Sequence, residues 1–297
     1  MEYVKLNNGV EMPILNFGVY QIPKEETKRC VLDAIKIGYR GIDTAQSYFN
    51  EEEVGDAIKE CGVPRKELFI TTKVWIDNYG YERCKKSVLE SMKKLKTDYI
   101  DLVLLHQPFS DYYGAYRALE DLYHEGKIKA IGVSNFYPDR LSDICLFGRE
   151  IIPAVNQVEV NPLNQQVKAQ ENMEKYGVHI EAWAPFGEGK SGMFTNEVLV
   201  NIGKKYNKSS AQVILRWLIQ RGVIVACKST HEDRMKENFD VFDFELSNED
   251  MEEIKKLDSN DSLFFNHQDP NMVEWFDNIV NVRRNSNDFR NEKKGWD

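Results

Sequence analysis

What most constrains this chain is the shape of its apolar runs. Eight of them are short and nearly unbroken: Ile14 to Gly18, Tyr39 to Asp43, Leu68 to Val74, Ile100 to His106, Ile128 to Ser134, Ala154 to Glu159, Val178 to Trp183 and Val223 to Lys228. Runs such as LVLL and VIVA read as strands covered on both faces, because a strand with one wet face would alternate apolar and polar residues. Parallel pairing is therefore expected. The segments between them carry a 3.6-residue apolar period, as in Cys30, Val31, Ala34 and Ile35, then Val54, Ala57, Ile58 and Cys61, then Cys84, Val88, Met92 and Leu95. Asn50 is placed to cap the second of these helices, with Glu53 completing a capping box.

Eight strand-then-helix units in 297 residues predict an α/β fold, a (β/α)8 TIM barrel. KLNNGVEMPIL adds an N-terminal β-hairpin turning at Asn7, Asn8 and Gly9. A doubly wound open sheet is the alternative. The barrel is expected over residues 1–275, and the polar, aperiodic stretch 276–297 reads as a C-terminal tail.

Charge and composition narrow the partners. A net charge of −9 without a basic stripe argues against nucleic acid. A negative mean hydropathy and the absence of a run of spanning length argue against a membrane. MEYVKLNNGVEMPI has neither the basic front nor the apolar run of a secretory signal, so the cytoplasm is the expected setting. Five scattered cysteines, Cys30, Cys61, Cys84, Cys145 and Cys227, read as reduced thiols. The expected partner is a small molecule, and the expected state a monomer or weak homo-oligomer.

In a barrel the active site sits at the carboxyl ends of the strands and draws on several of them. Here those ends carry Asp43 with Tyr48 just beyond, Lys73, His106, Ser134 and Asn135, Asn156 and Gln157, Trp183 and Lys228. Any one of these taken alone is more often structural: an Asp caps a turn, a His is a satisfied core group, a Trp is packing. Lys73 is different, because FITTKVW places a charge in an otherwise buried strand, where Lys is rare unless paired. Asp43 on the neighbouring strand is its natural partner. That pairing would keep the ammonium charged, and the charge would favour the Tyr48 phenolate and lower its pKa, preparing it as a proton donor. His106 would give a second hydrogen bond to the same substrate oxygen. The set protonates an oxygen that becomes alkoxide-like, but it holds no electron source, so a cofactor must bring one.

These residues resemble the aldo-keto reductase family. GYRGIDTAQSYFNEEEVG is similar to the family signature, with Gly41 where His is usual, and TKVW, LLHQP, IGVSNF, NQVEVNP and KENFDVFDFEL follow in the family's order. The resemblance implies a catalytic tetrad of Asp43, Tyr48, Lys73 and His106, and a short-loop microbial member of the diketogluconate or glyoxal type. It implies that NADP(H) is held by Gly18, Val19, Asp43, Ser134, Asn135, Gln157, Trp183, Ala184, Phe186, Gly187, Lys228, Ser229, Thr230, Arg234, Glu237 and Asn238. Trp183 matches the aromatic on which the nicotinamide stacks. Lys228 and Arg234, near a helix start that Thr230 can cap, suit the extra phosphate of NADP(H) over NAD(H). Tyr20, Tyr48, Trp75 and His106 would line the side facing an aldehyde or ketone. No metal is implied.

GEGKSG at Gly187 to Gly192 mimics G-x-G-x-x-G and the end of a P-loop. Ala184 stands where the P-loop needs its first Gly, and no acidic partner follows about twenty residues on. Tyr20 replaces a frequent Trp and Gln107 follows His106 where many members have Trp, so a less aromatic pocket is expected. Few residues separate His106 from the next helix, which predicts an open mouth. Two rival readings are a cofactor-sensing regulatory subunit and a lyase or isomerase with Lys73 as a Schiff-base nucleophile.

Overall fold

A computed structural model describes residues 1–147 and 150–285. Strands β1 (Tyr3–Lys5) and β2 (Glu11–Pro13) pair antiparallel as the expected hairpin. The next eight are β3 (Leu15–Gly18), β4 (Gly41–Asp43), β5 (Phe69–Val74), β6 (Ile100–Leu105), β7 (Ile128–Ser134), β8 (Val155–Glu159), β9 (His179–Trp183) and β10 (Ile224–Cys227), each within two residues of its expected bounds. They close into a parallel barrel in which β10 pairs with both β9 and β3, so the open-sheet alternative is excluded.

Strand alternation sorts the apolar residues into two cores. Ile42, Ile70, Val103, Ile131, Val158 and Val225 face outward and pack against the helices that follow the strands. These include α1 (Lys24–Ile37), α2 (Glu51–Glu60), α3 (Tyr81–Lys94), α4 (Tyr112–His124), α5 (Pro138–Leu146), α6 (Val167–Lys175), α7 (Glu197–Tyr206) and α8 (Ser210–Gln220), with α9 (Glu232–Phe239) and α10 (Asn248–Lys255) after the last strand. Phe69, Leu102, Leu104, Ala130, Val155 and Ile224 form a separate cluster with Leu6 and Met12 of the hairpin, which closes the amino-terminal end of the barrel. The carboxyl end is left for polar groups. Among the described residues no helix is long and apolar enough to cross a membrane.

The departure at Gly41 has a steric cause. Gly41 pairs in register with Asn16, and a Cβ at position 41 would lie 1.7 Å from Asn16 Oδ1. Asn16 thus fills the space that a side chain at 41 would take.

Two expectations need correction. Asn50 is the N-cap residue of α2 but its side chain makes no capping bond: Oδ1 accepts from Thr44 Oγ1 (2.9 Å) and Nδ2 donates to Val19 O (3.0 Å), while Glu53 pairs with Lys24 (3.3 Å). The buried Thr44 hydroxyl takes the side-chain oxygen that the local cap would have used. The boundary expected after residue 275 falls inside a helix, α11 (Pro270–Asn285), whose Phe276 and Val280 are buried against Trp75 and Ile76. Met272, Trp275, Phe276, Ile279 and Val280 repeat at helical spacing, a stripe that begins before 276 and is cut in half by that boundary. Residues 286–297, the rest of the expected tail, lie outside the described residues.

Gly41→Ala is expected to destabilise the fold by about 1–3 kcal/mol through overpacking, and Asn16→Gly in the same chain to recover most of that loss. Denaturant unfolding of both single variants and the double variant checks this. Strictly additive effects would mean the two positions do not compete for one volume.

Candidate active site

The carboxyl rim gathers the four residues expected to carry the chemistry. Asp43 ends β4, Lys73 lies one residue before the end of β5, His106 follows β6, and Tyr48 closes a short 3-10 turn (Gln46–Tyr48) between β4 and α2. Lys73 Nζ donates to Asp43 Oδ1 (2.6 Å), to Thr44 O (3.0 Å) and to the Tyr48 hydroxyl (3.3 Å). Its three protons are thereby placed, and the side chain is fully buried. Burial alone would lower the lysine's pKa, but the Asp43 carboxylate, with Tyr48 and Glu181, outweighs it and holds Lys73 above the ordinary lysine range.

For Tyr48 the balance falls the other way. Burial raises its pKa, the Lys73 ammonium lowers it and Asp43 raises it again, leaving the phenol pushed up to about 12. The expected net lowering is therefore corrected: Lys73 offsets part of a larger desolvation cost. A phenol in that state keeps its proton at neutral pH.

His106 stands edge-on to Tyr48, with ring centroids 5.8 Å apart, and edge-on to Trp75 at 5.2 Å; its Nδ1 lies 3.3 Å from Ser47 Oγ. Tyr20 packs on Tyr48 at 4.9 Å. The four residues expected to line the substrate side are thus brought together.

The groups expected to hold a nicotinamide also converge. Gln157 Nε2 donates to Asp43 Oδ2 (2.9 Å), and Ser134 Oγ donates to Gln157 O (2.8 Å). Asn135, in a left-handed conformation, accepts from Trp183 Nε1 (2.9 Å) and donates to His106 O (3.1 Å). Hydroxyl, amide and aromatic groups beside the tetrad suit a flat ring bearing a carboxamide. Gly18 pairs in register with Asp43, and Val19 N donates to Asp43 O (3.0 Å), so the end of β3 borders the same hollow.

Beyond β9, Ala184 and Gly187 have positive φ and the chain runs through short turns past Phe186 until α7 begins at Glu197. A Cβ on Gly187 would meet Met193 Cε at 2.5 Å and Leu263 Cδ1 at 2.9 Å, so its glycine serves packing within the chain. The glycine motif at 187–192 opens no α-helix, since α7 begins only at Glu197, and this disposes of the P-loop and dinucleotide readings.

Lys228 and Arg234 flank the start of α9 (Glu232–Phe239); both are exposed, and neither joins an ion pair among the described residues. Two unpaired cations beside a helix amino terminus fit a phosphate. Glu237 and Asn238 follow on the same helix, with Asn238 buried. Thr230 does not cap α9. His231 is the N-cap residue, without a side-chain bond, and Ser229 Oγ accepts from His231 N (3.1 Å) instead.

Several rim residues were not anticipated from the sequence. Glu159, at the end of β8, is fully buried and accepts from Asn161 Nδ2 (3.1 Å), Ser262 Oγ (2.6 Å) and Leu263 N (3.0 Å), anchoring the C-terminal segment. That segment brings Phe264 to 5.1 Å from Trp183 and Phe276 to 6.1 Å from Trp75. His267 Nε2 donates to Gln107 Oε1 (2.9 Å), which also accepts from Asn135 Nδ2 (3.3 Å). The loop from β6 to α4 is short as expected, but the mouth is not open: the C-terminal segment adds aromatic walls to the one that Tyr20 supplies. A separate cavity of about 500 Å³ beside Asn135 is bounded by Phe109, Tyr137 and His267, and none of the tetrad lines it. Glu181 of β9 was missed too, although HIEAW carries the same signal that singled out Lys73, a charge in a buried strand.

Comparison with known proteins identifies the family. Residues 15–259 match the model of the aldo/keto reductase family. The glyoxal reductase of Bacillus subtilis is 49% identical over 262 residues, covering 88% of this chain and 94% of that protein. A methylglyoxal reductase of Escherichia coli is 40% identical over 263 residues, with 88% and 94% covered. An aldo-keto reductase from Bombyx mori, solved in complex with NADP, superposes with a TM-score of 0.85 at 34% identity, covering 89% of this chain and 95% of that one. The chain belongs to the aldo/keto reductase family and is an oxidoreductase that acts on carbonyl groups.

Proposed function

We propose that the chain is an NADP-dependent reductase that converts aldehyde or ketone carbonyls to alcohols, with small dicarbonyls such as glyoxal and methylglyoxal as its first candidate substrates. One observation carries this reading: a single buried ammonium, Lys73 Nζ, bonded at once to the Asp43 carboxylate (2.6 Å) and the Tyr48 hydroxyl (3.3 Å). When bound, NADPH supplies the hydride that reduces the carbonyl carbon. Ser134, Asn135, Gln157 and Trp183 would hold its nicotinamide end, and Lys228, Ser229 and Arg234 its extra phosphate.

The chain's own residues handle the oxygen. As the carbonyl carbon is reduced, negative charge grows on the carbonyl oxygen, and Tyr48 passes it a proton. The phenolate left behind faces Lys73, whose charge is worth more to it than to the neutral phenol, so the interaction strengthens toward the transition state. Asp43 keeps Lys73 charged and fixed. His106 orients the carbonyl oxygen from the opposite side, and the walls formed by Trp75, Phe276 and Tyr20 keep bulk water away. Tyr48 is protonated across the physiological range because its pKa lies near about 12, so reduction begins from the competent state.

Tyr48→Phe is expected to lower carbonyl reduction by about 10²–10⁴-fold, the usual share of a positioned proton donor, while NADPH binding measured by Trp fluorescence stays near wild type. Turnover within a few-fold of wild type would reject Tyr48 as the donor. The double variant Lys228→Ala, Arg234→Ala is expected to raise KM for NADPH by about tenfold or more, the equivalent of one charge-assisted hydrogen bond, and to leave KM for NADH nearly unchanged. Equal losses with both cofactors would show that these cations do not read the extra phosphate.

A further inference from the structure

Below the tetrad, inside the barrel, lies a second carboxyl group that the mechanism above does not use. Glu181 sits on β9 beside Gln157 of β8 and Ile224 of β10. Gln157 turns inward to Asp43, and Ile224 belongs to the inner apolar cluster, so Glu181 also points to the barrel interior. It has no exposure to solvent, and among the described residues neither Oε1 nor Oε2 accepts a hydrogen bond from a protein group. Lys73, the one cation bearing on it among the described residues, is bonded to Asp43, Thr44 and Tyr48. A second anion here would sit in low dielectric beside the Asp43 carboxylate, with only weak support from the Gln157 amide, which is already bonded to Asp43. Burying an unpaired carboxylate costs several kcal/mol, which protonation avoids.

We propose that Glu181 is a positioning residue carried as a neutral carboxylic acid, and that its ionisation adds a negative charge under the Asp43–Lys73 pair which weakens proton donation by Tyr48. The proposal rests on the reading of the chain as a carbonyl reductase, and deepens it by naming what sets the alkaline limit of the reaction. The ionisable groups bearing on Glu181 are Asp43 from β4 and Lys73 from β5; its register neighbours, Gln157 and Ile224, do not titrate. The direction of the effect follows from charge. Proton transfer leaves a phenolate at Tyr48, and a new anion nearby raises the energy of that phenolate and draws on the same ammonium. Burial, then the Asp43 charge, raise the Glu181 pKa, Lys73 and the Gln157 amide lower it, and the balance stands at about 8.

The same ionisation is readable without turnover. A folded-state pKa near about 8, against an ordinary value of 4.5, means the folded protein binds more protons than the unfolded chain between those two values. The stabilisation is complete below the lower value and is lost as pH rises through the upper one.

The test compares wild type with Glu181→Gln, which keeps shape and removes the proton site. In infrared difference spectra the wild type is expected to show the carbonyl band of a protonated carboxylic acid at about pH 6, absent in the variant, fading as pH passes about 8. The difference in Tm between variant and wild type should shift in favour of Gln as pH rises across the same window. The ratio of kcat/KM at about pH 9 to that at about pH 7, with methylglyoxal and NADPH, should fall several-fold in wild type and change little in the variant. A missing band at about pH 6, or matching pH profiles for the two proteins, overturns the proposal. If wild type reduces no carbonyl at any pH, the functional reading fails separately, while the band and the stability comparison still decide the state of Glu181.

Discussion

The contact on which the site depends is the ion pair between Lys73 and Asp43. Each charge loses several kcal/mol of hydration on burial, and two unit charges about 4 Å apart recover only about 4 kcal/mol at the effective dielectric near 20 that describes such sites. The pair is therefore close to neutral for stability, and a pair of apolar residues would serve the fold as well. What it provides is a fixed positive charge in a dry place, 3.3 Å from a phenol. The barrel makes this possible by register: β4 and β5 are adjacent parallel strands, and their last inward residues arrive at the same rim. Closure of the eight strands then brings Gln157, from the far side, to the second oxygen of Asp43.

A second layer of control comes from the chain's end. Glu159 anchors residues 262 and 263 at the rim, which delivers Phe264 and Phe265 to Trp183 and lets α11 lay Phe276 and Val280 on Trp75 and Ile76. Through His267 and Gln107 the same segment reaches Asn135, the residue that binds the Trp183 indole. Burial drives the His267 pKa down to about 3, so this link carries no charge at neutral pH. The walls of the candidate pocket are thus assembled from parts of the chain far apart in sequence.

That division explains what could be read from the sequence. Buried parallel strands announce themselves as short apolar runs, so all eight barrel strands and the closure of the fold were legible, as was Lys73 as a misplaced charge needing a partner. Motif order then supplied His106, Ser134, Asn135 and Trp183, and the structure brings them together. What failed were features decided by competition between local and distant partners. Asn50 and Thr230 have the right residue types for caps, yet Thr44 and Val19 claim the first, and α9 starts one residue beyond the second, at an N-cap His231 whose N–H is taken by Ser229. The sign of the Tyr48 shift depends on how completely it is buried, which no spacing reveals. Asn16 and Gly41 exchange volume across two strands 25 residues apart in sequence, a relation visible only once their register is known. Glu181 could have been found, because the rule that identified Lys73 applies to it unchanged.

The most direct check of the account is the charge on Lys73 itself. An NMR titration of its labelled side chain, in wild type and in Asp43→Asn, reads the ammonium independently of turnover. The structure predicts that wild-type Lys73 stays protonated beyond the ordinary lysine pKa of about 10.4, and that loss of the Asp43 charge lowers its pKa by several units toward values seen for unpaired buried lysines. A wild-type Lys73 that is neutral at pH 7, or one whose titration is unmoved in Asp43→Asn, would contradict the claim that a buried, carboxylate-held ammonium organises this site.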